Sequence, residues 1–379
     1  MPINFDRVPT ACFVLDEAKL RRNLETMRYV QEQSGARIIL ALKGFAMFSA
    51  FGLIKEYLHG TTASSLHEAR LGYEEFGNEV HAYTPAYFDN EFDELLGYCN
   101  HITFNSPAQW ERFRGKVQSS NKKVSCGIRI NPEYSEVETD LYNPCAIGTR
   151  LGVTADQLGS TLPEGIEGLH FHTLCENDSY ALERTLRVIE DRFGPLLHQA
   201  KWLNLGGGHL MTRKGYDLEH LIELIRHLRE TYEVEVTMEP GSAVAWETGY
   251  LTSTVEDIID NHGIGAVVLD VSVSAHMPDC IEMPYKPRVL GARDAEPGEP
   301  GYRLGGLTCL AGDYVGDYAF DAPLQIGDRV VFDDMMHYTM VKTTFFNGVR
   351  HPSIGIWHED DTFELVRKFG YEDYRNKLS

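Results

Sequence analysis

Ile38-Ile39-Leu40-Ala41-Leu42-Lys43 is an apolar run of strand length that ends abruptly on a lysine. Bounded runs of this kind read as buried strands. A primary amine at the end of one loses hydration, which lowers its pKa and favours the neutral, nucleophilic form. That is the state in which a lysine forms a Schiff base with an aldehyde. A strand-end lysine that simply reaches solvent is the plainer alternative, so the surrounding chain has to decide.

Outward from this run the chain alternates. Before it, Asp16 is an N-cap for a helix through about Ser34. Strand-like runs then follow at Ile38–Lys43, Thr61–Ser65, Glu79–Pro85, His101–Asn105, Val124–Pro132, Gly168–Leu174, Trp202–Gly208 and Glu235–Gly241. Helix-like segments lie between most of them, at Phe48–His59, Leu66–Phe76, Asn90–Tyr98, Pro107–Phe113, Tyr180–His198 and Leu218–Tyr232. Ser106-Pro107-Ala108-Gln109 joins an N-cap, a first-turn proline and a capping-box glutamine, and Ser65–Glu68 and Thr154–Gln157 show the same box. Eight strands in this rhythm predict an α/β fold built on a TIM-like (β/α)8 barrel over residues 16–247.

After about Trp246 the rhythm changes. Leu251–Ile259, Ala266–Ser274, Tyr302–Cys309 and Arg329–Phe332 read as strands, Thr339–Phe346 is a β-branched and aromatic run, and Gly291–Gly301 is a turn-rich surface loop. These predict a mostly β C-terminal domain of residues 248–379, joined by the N-terminal stretch 1–15 through a strand near Ala11–Leu15.

Composition narrows the partners. The 379 residues carry 35 Lys+Arg against 56 Asp+Glu, a formal net charge of −21. That argues against nucleic acid or an anionic membrane surface and suits a cationic small molecule. No apolar run approaches the roughly 20 residues needed to span a bilayer. The start, Met1–Thr10, lacks a signal peptide's basic and apolar regions, and seven cysteines without a C-x-x-C pair suggest a reducing compartment. A cytoplasmic protein is the simplest expectation.

In a (β/α)8 barrel the reactive residues gather at the carboxyl ends of the strands. Here those ends carry Lys43, Arg129, His170 and His172, Gly206-Gly207-Gly208-His209, and Glu239-Pro240-Gly241. Each has an ordinary alternative: a buried ion pair for Arg129, core packing for a strand histidine, tight turns for the glycines and for Glu-Pro-Gly. As a set they offer bare backbone amides for a phosphate. They also offer an imidazole that can lie on a ring and a carboxylate that can hold a pyridine nitrogen protonated.

The order of these pieces resembles the fold-type III pyridoxal-phosphate decarboxylases, an alanine-racemase-type barrel family acting on ornithine, diaminopimelate and carboxynorspermidine. The likeness runs from Thr10 to about Gly348. It is most detailed toward the carboxynorspermidine (carboxyspermidine) branch, in Ala41–Phe45, Gly168–Glu176, Asn204–His209, Met238–Ser242, Gly306–Asp313 and Met336–Thr339. The resemblance implies pyridoxal 5'-phosphate on Lys43, His172 stacked on its ring, Glu239 on its nitrogen and Arg129 near the ring edge. Gly206, Gly207, Gly208, Gly241 and Tyr338 would hold the phosphate. Cys309 would come from a second subunit of a homodimer to handle the proton after carbon dioxide leaves, and no metal is implied. Two departures stand out: His172-Thr173-Leu174-Cys175 where relatives have His-x-Gly-Ser, and Ser242 where relatives often have arginine.

The substrate so implied is a carboxylated polyamine. Its buried ammonium groups need carboxylates or aromatic faces, and Glu176, Glu282 and Asp313 are the candidate acids. Related decarboxylases of ornithine, arginine or diaminopimelate, a racemase, a metal-dependent hydrolase using His170 and His172, and a non-catalytic cofactor-binding protein are the rivals. A diaminopimelate enzyme would need cations for its distal carboxylate, whereas the segments near Cys309 and Glu282 are acid-rich.

Overall fold

The computed structural model describes residues 3–379 apart from Glu138, Pro297, Gly298 and Pro300. Met1, Pro2 and the centre of the expected Gly291–Gly301 loop therefore lie outside the described residues. The chain divides into two compact units, residues 23–244, and residues 1–22 with 245–379.

β1 (Cys12–Asp16) leads into α1 (Glu17–Ser34), and the Asp16 carboxylate accepts from the Lys19 amide at 3.0 Å, as an N-cap should. Eight strands then close a parallel barrel. They are β2 (Arg37–Ala41), β3 (Gly60–Ala63), β4 (Glu79–Tyr83), β5 (His101–Phe104), β6 (Ser125–Arg129), β7 (Gly168–His170), β8 (Trp202–Asn204) and β9 (Glu235–Met238). Pairing of Ile38 with Met238 joins the last strand to the first. The strands are shorter than the sequence runs because each run continues past its last ladder bond into the loop that carries the chemistry. β7 stops at His170, so His172 lies beyond the strand.

Between the strands run α2 (Phe51–Ile54), α3 (Leu66–Leu71), α4 (Phe92–Tyr98), α5 (Pro107–Ser119), α6 (Ala155–Leu158), α7 (Ser179–Leu197) and α8 (Leu218–Tyr232). α7 buries Leu182, Leu186, Ile189, Phe193 and Leu196, and α8 buries Leu221, Ile222, Ile225 and Leu228. Both are the 3–4 spacing of a helix with one core face. Each such side chain stabilises the fold by about 1.5–3 kcal/mol. Lower in the barrel, a Cβ on Gly168 would sit 2.0 Å from the Trp202 indole, so only glycine leaves room for that ring.

The β unit has one nine-stranded sheet. β10 (Gly249–Asn261) pairs with β1, β11 (Ile264–Leu269) and β15 (Arg329–Asp333), and β12 (Ala292–Asp294), β13 (Tyr302–Gly305) and β14 (Tyr314–Phe320) extend one side. On the other, β16 (Ser353–Trp357) runs parallel to β1 and pairs with β17 (Phe363–Arg367). Thr339–Phe346 is not a strand, despite its β-branched composition. Tyr338 has a left-handed backbone (φ 48°), the Lys342 amide turns back onto its carbonyl at 3.0 Å, and the Thr339 hydroxyl donates to Asp279 at 3.0 Å. Local hydrogen bonds there override propensity. The expected strand Tyr302–Cys309 likewise ends at Gly305, which leaves Cys309 on a loop.

Candidate active site

Lys43 lies just past β2, in the turn at the carboxyl end of that strand, and is exposed. Protein nevertheless surrounds the amine closely enough that desolvation lowers its pKa, and the positive charge of Arg129 lowers it further. Glu239, Cys175 and Glu68 act on it in the opposite sense. The amine is thus tuned toward the nucleophilic state that the opening run predicts.

Glu239 follows β9, one residue past its end. Its Oε1 accepts from Asn204 Nδ2 at 2.7 Å, while Oε2 faces His170 Nε2 at 3.5 Å. Burial would raise its pKa, but the His170 imidazole and the Asn204 amide outweigh this, and the carboxyl is held well below the usual range. Burial pushes His170 down. Glu239 pulls the His170 imidazole the other way, so burial and the carboxylate oppose each other at that ring.

His172 is oriented by the glycine turn. Its Nδ1 accepts from the Gly207 amide at 2.9 Å, which puts the ring proton on Nε2. Desolvation, followed by the charges of Lys43 and Arg129, drives its pKa well down, so it presents a neutral ring. Arg129 is buried, donates to the His172 carbonyl at 3.1 Å and lies 4.7 Å from the centroid of the Tyr83 ring. That stacking contributes about 0.5–2 kcal/mol and fixes the guanidinium plane.

The turn itself admits no side chain. Gly206 (φ 68°) and Gly208 (φ 86°) take left-handed backbone, and a Cβ would meet the Phe171 and Leu174 carbonyl oxygens at 2.3 and 2.1 Å. The Gly206 amide, however, donates to Asn204 Oδ1 at 2.9 Å, and the Gly207 amide to His172. These two glycines shape the turn and aim their neighbours; their amides are already engaged, which departs from the expectation that all three would donate to a phosphate. Gly241 precedes α9 (Ser242–Ala245) and packs against Gly44, beside Lys43.

Glu176 sits on the loop after β7, with left-handed backbone (φ 56°). Cys309, Asp313, Glu282 and Tyr338 belong to the β unit. Glu282 pairs with Lys342 at 2.6 Å, Cys309 is exposed, and Asp313 is buried. The barrel therefore gathers Lys43, Arg129, His172, Glu176, the glycine turn, Glu239 and Gly241, and the β unit carries the other four.

Asn204 and Tyr83, which hold Glu239 and Arg129, were not among the expected site residues. Asn204 was findable as a polar residue at a strand end immediately before the glycines. Tyr83 was not, because its partner is 46 positions away on another strand. Lower in the barrel, Glu79, His81 and His101 also cluster. The two imidazoles stack in parallel (4.1 Å, 12°) and Arg37 pairs with Glu79 at 2.6 Å.

A tuned amine, a fixed neutral imidazole and a deep carboxylate, set around a side-chain-free turn at a barrel mouth, define a site for an aldehyde cofactor with a pyridine ring and a phosphate. The chain belongs to the pyridoxal-dependent decarboxylases, a family described by its C-terminal sheet domain, which matches residues 12–336. Its cofactor is pyridoxal phosphate. The residues fit that group: the amine is desolvated, the His172 pKa is driven well down, and the glycine turn carries no side chain.

Within the family, the chain is 55% identical over 372 residues to carboxyaminopropylagmatine decarboxylase of Synechocystis sp., covering 98% of this chain and 96% of that protein. It is 45% identical to carboxynorspermidine/carboxyspermidine decarboxylase of Campylobacter jejuni, covering 98% of each. The crystal structure of carboxynorspermidine decarboxylase from Campylobacter jejuni, complexed with norspermidine, matches with a TM-score of 0.91 at 44% identity, over 98% of this chain and 100% of that one. Diaminopimelate decarboxylase from Helicobacter pylori, at 16% identity and a TM-score of 0.83, shares the fold. Among the described residues no helix is long and apolar enough to cross a membrane.

Proposed function

We propose that this enzyme removes the α-carboxylate, as carbon dioxide, from carboxynorspermidine or carboxyspermidine, giving norspermidine or spermidine. The observation that carries the reaction type is the barrel mouth, where a desolvated Lys43 faces a carboxylate and a neutral stacked-type imidazole. The near-full-length likeness to the norspermidine-bound Campylobacter jejuni structure supports the substrate. A specific observation favours a second substrate as well. The 55% identity is to an enzyme named for carboxyaminopropylagmatine, a molecule that ends in a guanidinium where carboxynorspermidine ends in an ammonium. The candidates share a carboxyaminopropyl head on a cationic amine, and a net charge of −21 suits all of them.

When bound, pyridoxal phosphate supplies an electron sink for the bond that releases carbon dioxide. Lys43 would hold the cofactor and free the product. Glu239, held low by His170 and Asn204, would keep the ring nitrogen protonated. His172 would cover the ring face, Arg129 would lie at its edge, and Gly208, Gly241 and Tyr338 would take the phosphate, with Gly206 and Gly207 shaping the turn.

Cys309 of a partner subunit returns a proton to the carbon that lost carbon dioxide, which makes the working unit a homodimer. The β-rich domain serves the site in this way, and the barrel binds the cofactor. Glu176 remains a candidate for a substrate ammonium; Glu282 could serve only by leaving Lys342. A cytosolic setting is part of this reading, supported by seven cysteines of which none is paired.

The test is carbon dioxide release from carboxynorspermidine, carboxyspermidine, carboxyaminopropylagmatine, ornithine and diaminopimelate, together with the visible absorption of the purified protein. Preferred turnover of ornithine or diaminopimelate, or a cofactor absorption that survives Lys43→Ala, would overturn the proposal.

A further inference from the structure

The loop Gly306–Asp313 carries Cys309 outward between two neighbours, Leu307 and Leu310, that are themselves exposed apolar residues. A loop of this kind needs a firm base if its thiol is to hold a fixed position. The base is Asp313, which is buried, with 4% of its surface exposed. Its Oδ1 accepts from Ser272 Oγ at 3.0 Å, from the Ser274 amide at 2.9 Å and from Ser274 Oγ at 3.2 Å. Its Oδ2 accepts from the Thr308 amide at 3.0 Å and Thr308 Oγ1 at 2.6 Å.

A carboxylate offers about four lone-pair sites. Five donors from its own unit leave no place for a substrate ammonium without dismantling the loop. This corrects the expectation that Asp313 binds substrate.

The main chain closes the same structure. The Gly306 amide donates to the Asp313 carbonyl at 2.7 Å, and the Leu307 amide to the Val271 carbonyl at 3.1 Å. A Cβ at Gly306 would meet Asp313 Oδ2 at 2.4 Å, so glycine is required for the carboxylate to lie against the start of the loop. Ser272 caps α10 (Val273–His276) through the Ala275 amide at 3.0 Å. One carboxylate thus ties the first turn of a helix to Thr308, the residue before the thiol. Burial raises the Asp313 pKa, but the Thr308, Ser274 and Ser272 hydrogen bonds outweigh it and keep the group ionised.

We propose that Asp313 is a positioning residue for the reaction: by clamping Thr308 to Ser272 and Ser274 it holds the Cys309 thiol where the proton is delivered. This rests on the reading of Cys309 as the proton donor. A proton placed on the carbon that lost carbon dioxide yields the amine and returns the cofactor unchanged. If the proton goes to the cofactor's own carbon instead, water hydrolyses the C=N bond, releasing an aldehyde and leaving pyridoxamine phosphate. The fraction of turnovers ending in pyridoxamine phosphate therefore measures how well the donor is placed.

The experiment uses the holoenzyme with carboxynorspermidine and compares Cys309→Ser, Asp313→Asn and Thr308→Val by that fraction and by KM. Asp313→Asn keeps the shape but turns a hydrogen-bond donor toward existing donors. It should raise the fraction about tenfold, in the direction of Cys309→Ser, with KM unchanged within about twofold. Thr308→Val removes one link from a half-buried position and should move the fraction the same way by less, which keeps the test open if Asp313→Asn does not fold. If Cys309→Ser moves the fraction and neither clamp variant does, the clamp is wrong. A raised KM with an unchanged fraction would restore Asp313 as a substrate ligand. If Cys309→Ser leaves the fraction unchanged, the donor reading itself fails and the clamp with it.

Discussion

The barrel mouth and the Cys309 loop place reactive groups by opposite means. At the mouth, Lys43 is exposed and His172 and Glu239 are half-buried, yet desolvation pushes the amine and the imidazole down, while His170 and Asn204 hold the Glu239 carboxyl low against burial. On the loop the thiol is exposed, and order comes from one buried carboxylate four residues away. A site built on strand ends holds its own geometry. A loop site needs a clamp at its base and a second surface over its tip.

The same contrast explains what could be read from the sequence. Lys43, Arg129, His172, the glycines and Glu239 each stand at or just past the end of an apolar run, so strand order alone assembles them. The roles of the β-unit residues depend on pairings between distant segments. Asp313 looks like a free acid in sequence because Ser272 and Ser274 lie 41 and 39 positions earlier. β16 and β17 were missed because neither is a long apolar run, and the β-branched composition of Thr339–Phe346 does not show the left-handed turn at Tyr338 that precedes it. The engaged amides of Gly206 and Gly207 were hidden for the same reason: a glycine run shows open backbone but not its partners.

The largest effect should come from removing the amine. Lys43→Ala is expected to abolish the visible absorption of the bound cofactor and to lower decarboxylation by on the order of 10⁴-fold or more. Spectroscopy and carbon dioxide release check it together. Retained activity would mean that the barrel mouth does not hold the chemistry.

Next is the carboxylate. Glu239→Gln removes the charge without changing the shape and should cost about 10²–10³-fold in kcat, the scale of a lost preorganised electrostatic contact. Asn204→Ala should cost about tenfold, because it frees Glu239 without removing it. Steady-state kinetics on the two variants would break the contrast if Asn204→Ala proved the more damaging, since the carboxylate would then be incidental.

The barrel's rigidity can be tested away from its mouth. Gly168→Ala forces a methyl group into the Trp202 ring, and overpacking of this kind costs about 1–3 kcal/mol. Chemical denaturation would show it as a lower unfolding midpoint. If strand-end geometry depends on that packing, kcat should fall as well, whereas a variant that is less stable but fully active would show that the mouth tolerates strain below it.

The smallest effect belongs to the edge of the β unit, where a histidine behaves oppositely to those in the barrel. His358 Nδ1 meets Glu17 at 3.0 Å and Nε2 meets Glu364 at 3.0 Å. Partial burial lowers its pKa, but hydrogen bonds and charge from the two carboxylates outweigh this, and the pKa is raised. A group whose folded pKa is raised adds stability that is complete below its unfolded value of about 6.5 and is lost as pH climbs through the folded value. Because the pair is partly solvated, the contribution is about 0.5 kcal/mol. The unfolding midpoint of His358→Gln should therefore fall below that of the parent at pH 6 and approach it by pH 8.5. A gap that widens with rising pH would mean that His358 is neutral in the fold, as its barrel counterparts are, and that the two carboxylates do no more than orient it.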